Sequence, residues 1–267
     1  MGLGIIYTIV NQKGGVGKTT TAINLGAYLG MLGQRVLIVD IDPQSNATSC
    51  LGIDKNKVEG VTYDVIIGAQ PILTQILYNP KYKLSLLPSS PALAGGEIEM
   101  VNIENRESRL IQVLAPIQSR YDYLLIDCPP SLGLLTLNGL VAAKNGVLIP
   151  VQSEYLALEG LGQLLRTINR VKQSLFENLD IRGVIITMFD NRTNLSADVL
   201  QEVQRYFGKK VFNTVIPRSI RLAEAPSYGM PISKFSPESS GAQAYFALAN
   251  ELLTSDQVSI PITQEVD

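Results

Sequence analysis

Residues 5–20 read IIYTIVNQKGGVGKTT, and this stretch decides the fold. An apolar run over residues 5–10, with Thr8 as its one polar residue, leads into a loop with three glycines and then into helical spacing over residues 19–32. Glycines let backbone N–H groups turn toward one point without a clash of Cβ atoms, and the amino end of a helix adds a favourable dipole for an anion. The stretch therefore predicts a strand–loop–helix unit that binds phosphate.

The loop departs from the Walker A pattern GxxxxGK[ST] only at its first position, where Gln12 replaces glycine. Two further glycines and a second lysine in residues 13–15 compensate for this departure. In the pattern, Lys18 reaches the β- and γ-phosphates of a nucleotide and the Thr19 hydroxyl ligates Mg²⁺. The predicted nucleotide-binding residues of the loop are Lys13, Gly14, Gly15, Val16, Gly17, Lys18, Thr19 and Thr20.

Acidic residues stand at the ends of two other apolar runs. Residues 36–41 are followed by Asp42, with Asp40 two positions before it, and residues 123–127 end in Asp127. Alternation along a strand places Asp40 and Asp42 on the same side. Because ligands of open α/β sheets gather at the carboxyl ends of the strands, all three aspartates are candidates for Mg²⁺ and the attacking water. An isolated aspartate at a strand end more often caps a helix or forms a turn, but the neighbouring loop favours the metal and water role for Asp42 and Asp127.

Continuous apolar runs alternate with helical spacing along the whole chain. Such runs are typical of strands buried on both faces of a mostly parallel sheet. The predicted strands are 5–10, 36–41, 84–87, 123–127, 146–151, 181–188 and 211–216, and the predicted helices include 19–32, 157–175, 195–207 and 242–253. The fold class is therefore α/β, a doubly wound and mostly parallel sheet flanked by helices. We expect a single domain over residues 1–253 and a polar, acidic, disordered tail over residues 254–267.

Composition excludes several kinds of chemistry. The 267 residues contain no histidine, which removes Ser-His-Asp and Cys-His catalysis and every histidine-containing metal site. Cys50 and Cys128 form no CxxC pair and are expected to be reduced core thiols. Apolar runs are all much shorter than the roughly 20 residues of a membrane span, and no targeting segment is evident. We therefore expect a soluble, cytoplasmic protein.

Five motifs in order give the chain a family resemblance. They are KGGVGKTT (13–20), VDIDPQSNAT (39–48), LLIDCPPSLGLLTLNGL (124–140), PVQ with Glu154 and Tyr155 after it, and VIPRSIRLAEAPSYG (215–229). Together they resemble the ParA/Soj ATPases that partition chromosomes and plasmids. The resemblance runs from Ile6 to about Leu253 and includes the deviant Walker A loop.

The resemblance implies roles for the site residues. Lys13 corresponds to the signature lysine, which reaches the partner subunit's phosphates in an ATP sandwich dimer. Asp42 positions or activates the hydrolytic water, and Asp127 holds the Mg²⁺ shell through water. Pro217 and Ser219 line the adenine; relatives often carry Asn in place of this serine, so the contact is expected from the backbone. The implied catalytic set is Lys13, Lys18 and Asp42, and the implied metal set is Thr19, Asp127 and Asp42.

DNA binding is expected on residues 180–235. This segment has eight Lys and Arg against five acids, a charge of +3, which leaves −5 for the rest of a chain of net charge −2. The family binds DNA without sequence preference through such a face, and Arg192, Arg218 and Arg221 are the candidates. The resemblance further implies an ATP-dependent homodimer, a ParB-like partner, non-specific double-stranded DNA, no membrane, and a nucleoid-associated place in the cytoplasm.

Other functions stay open at this point. A cousin that positions another cargo over the nucleoid has the same sequence features, because the partner specifies the cargo. A nucleotide-gated scaffold without catalysis differs only in its lack of ATP turnover. A MinD-like membrane ATPase needs a basic amphipathic helix at the carboxyl end, and residues 236–267 contain no Lys or Arg. The nitrogenase iron protein type needs cysteines at a dimer seam, a pattern that Cys50 and Cys128 match poorly.

Overall fold

The strands form one mostly parallel sheet. A computed structural model describes residues 2–58, 61–155 and 157–258 of the chain. Within that part the strands are β1 (Ile5–Ile9), β2 (Val36–Asp40), β3 (Leu77–Asn79), β4 (Leu84–Leu87), β5 (Tyr123–Asp127), β6 (Val147–Gln152) and β7 (Ile181–Thr187). They lie in the order β3-β4-β2-β5-β1-β6-β7. Only the β3–β4 pair is antiparallel; the other neighbouring pairs are parallel.

Helices cover both faces of the sheet. In the described residues they are α1 (Lys18–Met31), α2 (Asn46–Cys50), α3 (Thr62–Ile66), α4 (Leu93–Glu99), α5 (Arg109–Leu114), α6 (Leu134–Ala142), α7 (Ala157–Ser174), α8 (Asn194–Phe207), α9 (Ile220–Glu224), α10 (Ile232–Phe235) and α11 (Ser240–Ser255). One hydrophobic core packs α1 and α11 against the sheet, and a second packs α5 to α8 against the other face. The predicted doubly wound α/β fold is confirmed.

The central position of β1 places the glycine loop beside the acidic strand ends. β1 pairs with β5 on one side and with β6 on the other, and Ile9 lies opposite Asp127. In the neighbouring pair, Asp40 of β2 also lies opposite Asp127. All residues of β2, β5 and β6 are buried, because helices cover both faces. The carboxyl ends of these strands therefore form one edge, where the candidate site lies.

Two strand predictions differ from the structure. The predicted strand over residues 211–216 is wrong: its two ends bond to β7, through an isolated bridge at Val211 and single backbone hydrogen bonds from Phe212 and Ile216, but no continuous ladder forms. The backbone N–H groups of Asn213 and Thr214 donate instead to the Glu251 carboxylate (2.7 and 2.9 Å), which takes the middle of the segment out of the sheet. The sequence also missed β3, a three-residue edge strand that is exposed or half-buried and carries no apolar run.

The last helix extends past the predicted domain boundary at residue 253. α11 continues to Ser255, and the side chain of Asp256 behind it is only 5% exposed. The first polar residues of the predicted tail thus make helical and ionic contacts. Residues 259–267, which make up most of the predicted tail, lie outside the described residues.

Asp256 fastens the end of α11 to the sheet. Its Oδ1 accepts hydrogen bonds from the Tyr7 hydroxyl and the Arg182 guanidinium, both at 2.7 Å. Its Oδ2 accepts from the Tyr123 hydroxyl at 2.9 Å. Burial and then the charge of Asp256 raise the pKa of both tyrosines, so both hydroxyls stay protonated donors. The carboxylate thus ties β1, β5 and β7 to the last helix.

Asp256→Ala is expected to lower the free energy of unfolding by about 3 kcal/mol, because it leaves a half-buried guanidinium and two hydroxyls without their acceptor. Chemical denaturation measures the change. Asp198→Ala removes an exposed carboxylate on α8 and serves as the control, with an expected change within about 0.5 kcal/mol. Equal losses for the two variants would contradict the anchoring role of Asp256.

Candidate active site

The glycine loop between β1 and α1 has the conformation that its sequence requires. Gly15 and Gly17 have φ of 74° and 90°, values at which a residue with a Cβ is strained. A Cβ added at Gly14 or Gly15 would meet no atom within 4 Å. Open space therefore adjoins the loop, and this is the room that a phosphate group needs.

Side chains from the neighbouring segments hold the loop in place. The Asn11 amide donates to the carbonyl of Pro150 on β6 at 2.8 Å and accepts from the backbone N–H of Lys13 at 3.0 Å. The Thr187 hydroxyl, at the end of β7, donates to the carbonyl of Val16 at 2.8 Å. The loop is thus fixed by β6 and β7 as well as by the chain on either side of it.

Lys18 is the buried cation of the site. It is 6% exposed, and its Nζ donates to the carbonyl of Lys13 at 3.2 Å. Burial lowers its pKa, and the nearby Asp127, Cys128 and Asp42 oppose that shift. A buried ammonium group beside carboxylates lies where it can bind a strongly negative ligand.

Asp127 and Thr19 form the part of the site that fits a divalent cation. The Thr19 hydroxyl donates to Asp127 Oδ2 at 2.7 Å, while Oδ1 is buried without a hydrogen-bond partner in the described residues. Burial, followed by the charges of Asp40 and Asp42, raises the pKa of Asp127 well above its usual range. An unpartnered carboxylate oxygen beside a hydroxyl suits Mg²⁺, a hard cation that binds oxygen ligands.

The cation would need further ligands from outside the chain. Among the described residues, no group of three or more His, Cys, Asp and Glu side chains is placed to hold a metal ion. Mg²⁺ in proteins commonly binds through one or two carboxylates and keeps water and phosphate oxygens as its other ligands. The residues present therefore fit Mg²⁺ that arrives with a phosphate group.

Asp40 and Asp42 have different environments in the structure. Asp40 accepts hydrogen bonds from the backbone N–H of Asp42 (3.1 Å) and from the N–H and hydroxyl of Thr48 (2.9 and 2.7 Å). Burial is the main cause that raises its pKa to about 7. Asp42 is 4% exposed and lines the cavity beside the glycine loop. Asp40 thus shapes the loop that presents Asp42.

Two cavities adjoin the loop and share Gly17, Thr20 and Met188. The first, of about 280 Å³, is lined by loop glycines, Lys18 and Asp42, and the second, of about 220 Å³, is enclosed by apolar residues and by Pro217 and Ser219. The polar cavity suits phosphates and the apolar one suits a flat base. The Ser219 hydroxyl accepts from the N–H of Leu222 as the cap of α9, which leaves the backbone of this segment for the base.

Sequence reasoning gave no role to several residues of the site. Asn46, Cys50 and Met188 line the phosphate cavity, and nothing in their spacing indicated this. Cys128 is fully buried, as predicted, whereas Cys50 is half-buried at the cavity. Glu154, quoted above only as part of a motif, contacts the Nζ of Lys13 at 3.4 Å.

The three arginines predicted to bind DNA are exposed, and each contacts a carboxylate. Arg192 contacts Asp190 at 2.7 Å, Arg218 contacts Glu154 at 3.3 Å and Arg221 contacts Glu224 at 2.9 Å. Arg192 lies in the segment that follows the carboxyl end of β7. Arg218 and Arg221 lie just before and within the first turn of α9.

The +3 segment of residues 180–235 does not form a single face. Arg182 is directed into the Asp256 network, and Lys210 contacts Asp180 at 2.8 Å, just before β7 begins. These cations lie at the opposite edge of the sheet from the three candidate arginines. The charge count therefore overstates the positive charge beside the candidate site.

A strand–glycine loop–helix unit with a buried lysine and neighbouring carboxylates defines a P-loop nucleotide-binding protein. A family model described as an AAA domain matches residues 4–181. The chain is 52% identical over 250 residues to the sporulation initiation inhibitor protein Soj of Bacillus subtilis, which covers 94% of this chain and 98% of that protein. It is 49% identical to the chromosome-partitioning ATPase Soj of Treponema pallidum, over 95% of this chain and 99% of that one.

A solved structure has the same fold as this chain. Cobyrinic acid a,c-diamide synthase from Mycobacterium smegmatis, with bound ADP and magnesium, superposes with a TM-score of 0.84 at 38% identity over 96% of each chain. The chain belongs to the ParA/Soj family of chromosome-partitioning ATPases. In the part of the chain that the structure describes, no helix is long and apolar enough to cross a membrane.

Thr48→Val is expected to lower the free energy of unfolding by about 1–3 kcal/mol, because it removes a donor to Asp40 and the acceptor of the Ser89 N–H. Thermal or chemical denaturation measures the loss. The same change at Thr167 on α7, whose hydroxyl makes a 3.3 Å bond to the Gln163 carbonyl at the surface, is the control. Similar losses in both variants would show that the buried network adds nothing.

Proposed function

We propose that this chain is an ATP-dependent dimer switch that drives chromosome or plasmid segregation. The observation that carries the proposal is the difference between two lysines of one loop. Lys18 is buried beside Asp42 and Asp127, whereas the side chain of Lys13 is 31% exposed and contacts Glu154. Lys13 does not line the phosphate cavity of its own subunit, so its ammonium group is available to the phosphates of a second subunit.

ATP and Mg²⁺ are the proposed ligands of the paired cavities. The glycine loop, Lys18 and Thr20 would hold the phosphates, and the backbone around Pro217 and Ser219 would hold the base. Thr19 and Asp127 would hold Mg²⁺, with Asp42 beside them. Bound Mg²⁺ neutralises negative charge on the β- and γ-phosphates.

Asp42 is the proposed positioning group for the hydrolytic water. It is the only acid among the described residues that line the phosphate cavity, and the chain has no histidine to act as a base. Phosphoryl transfer depends mainly on positioning and charge neutralisation, so one carboxylate supports a slow reaction. Slow turnover suits a switch whose ATP-bound dimer and ADP-bound monomer have different partners.

Asp42→Ala is expected to reduce ATP turnover by at least about 100-fold, the usual contribution of a group that activates a nucleophile. The variant should still bind ATP and remain a dimer. Phosphate release and sedimentation of the same sample measure the two properties.

Two control variants are compared with Asp42→Ala. Lys18→Ala should lose nucleotide binding by on the order of 100-fold, because two charge-assisted hydrogen bonds to phosphate are lost. Asp198→Ala, exposed on α8, should turn over ATP like the wild type. Full ATPase activity in Asp42→Ala would overturn the assignment of Asp42, and ATP binding without turnover in the wild type would favour a scaffold.

Non-specific DNA binding is proposed for the face that contains Arg192, Arg218 and Arg221. Their carboxylate partners reduce the field of one subunit, so a single face would bind with affinities on the order of 10⁻⁴–10⁻⁶ M. An ATP-dependent dimer would present two such faces, and the second would bind at a high effective concentration. ATP would thus permit DNA binding by making the dimer.

Arg221→Ala is expected to reduce the slope of log affinity against log salt concentration by about 1 for each subunit, because one phosphate contact is lost. DNA co-sedimentation with ATP across a salt series measures the slope. Arg170→Ala on α7, also exposed, is the matched control and should leave the slope unchanged. Equal DNA binding with ATP and ADP, insensitive to salt, would contradict the proposal.

The partner and the cargo follow from the family rather than from the site. A ParB-like protein is the proposed partner, and a nucleoid-associated place in the cytoplasm follows from DNA binding. ATP turnover measured alone, with non-specific DNA, and with the amino-terminal peptide of a ParB-like protein tests the partnership. Synergistic stimulation supports segregation, whereas stimulation only by another adaptor would favour the positioning of a different cargo.

A further inference from the structure

One carboxylate contacts both the second lysine of the loop and one of the candidate DNA-binding arginines. Glu154 Oε2 lies 3.4 Å from the Nζ of Lys13. Glu154 Oε1 lies 3.3 Å from the Nη2 of Arg218 and accepts a hydrogen bond from the Gln152 amide at 2.6 Å. Neither the resemblance nor the proposed function assigns a role to this carboxylate.

We infer that Glu154 is a positioning residue that holds Lys13 in the monomer and releases it when ATP assembles the dimer. The inference rests on the proposed function, in which Lys13 reaches the partner subunit's phosphates. Lys13 cannot contact Glu154 and a distant phosphate at the same time, so the ion pair must break before the dimer is complete. Glu154 therefore competes with ATP for Lys13.

The position of Glu154 is set by β6. Glu154 follows the end of that strand by two residues, and its N–H donates to the carbonyl of Gln152 at 2.8 Å. The Gln152 side chain, nearly buried at the end of β6, holds Oε1 from the other side. Two contacts with the same residue thus place the carboxylate beside the loop, whether or not Lys13 contacts it.

Release of Lys13 leaves Glu154 with partners. Arg218 and Gln152 both contact Oε1, so the carboxylate is not left unpaired when the lysine departs. An uncompensated carboxylate would make release costly, whereas a retained guanidinium keeps the cost small. Arg218 therefore favours release, because it neutralises the charge that otherwise holds the lysine.

The pair has the strength that a reversible contact needs. The side chains of Lys13 and Glu154 are 31% and 43% exposed, and ion pairs at such exposure change an equilibrium by about 1.5- to 5-fold. Each dimer requires two lysines to be released, one from each subunit. The expected effect on the dimer dissociation constant is the square of that factor, about 2- to 25-fold.

The two sides of the contact predict changes of opposite sign. Glu154→Gln removes the charge that holds Lys13 and is expected to strengthen dimerisation by about 2- to 25-fold. Arg218→Ala removes the competing cation and is expected to weaken dimerisation, even without DNA. Glu154→Asp keeps the charge and should lie close to the wild type.

Sedimentation of the full chain with Mg²⁺ and a slowly hydrolysed ATP analogue, in the absence of DNA, tests these expectations. A second readout is the acylation rate of the Lys13 amine in the ADP-bound monomer, with exposed Lys144 as the internal reference. Glu154→Gln should raise the rate at Lys13 by about 1.5- to 5-fold and leave Lys144 unchanged. Raising the salt concentration should bring wild type and variant together.

Three outcomes overturn the inference. The first is unchanged or weaker dimerisation of Glu154→Gln while the wild type dimerises normally, which leaves the proposed function intact. The second is an unchanged acylation rate at Lys13, which shows that the contact does not hold the lysine. The third is a wild-type chain that stays monomeric with the analogue, which overturns the proposed function together with this inference.

Discussion

The burial of charge at the carboxyl edge of β1, β2 and β5 is the constraint on which the rest of the structure depends. Asp40 and Asp127 are fully buried and Lys18 nearly so. Removing ions from water costs several kcal/mol each unless partners offset the cost. The fold supplies these partners unevenly: both oxygens of Asp40 accept hydrogen bonds, whereas Asp127 keeps one oxygen without a partner in the described residues. A ligand that brings a cation and negative oxygens would complete the set and stabilise the folded chain.

Much of this arrangement could be predicted from the sequence, because parallel sheets have a strong signature. Strands buried on both faces are apolar at nearly every position, and six of the seven predicted runs are strands of the sheet. The conformation of the glycine loop could also be predicted, because the positive φ of Gly15 and Gly17 is one that glycine adopts without strain. Once a strand, a loop and a helix are in place, the carboxyl edge of the sheet follows from the topology.

What the sequence could not give depends on contacts between distant segments. Alternation places Asp40 and Asp42 on one side of β2, but only Thr48 decides that the first shapes the loop while the second faces the cavity. The segment after Lys210 is apolar enough for a strand, yet two of its backbone N–H groups donate hydrogen bonds to the Glu251 carboxylate of α11. Glu154 was visible as part of a motif, but its two cationic partners lie more than 60 positions away along the chain.

The Asp256 network has a consequence for how the molecule meets other molecules. Tyr123 and Arg182 stand at or beside the first residues of their strands, so the network attaches the last helix to the amino-terminal edge of the sheet. The end of α11 and the candidate site therefore lie at opposite edges of the sheet. A second subunit or a nucleic acid can approach the carboxyl edge without displacing the attachment of the last helix. A fluorescent reporter joined at Asp256 would accordingly start from the edge opposite the nucleotide site.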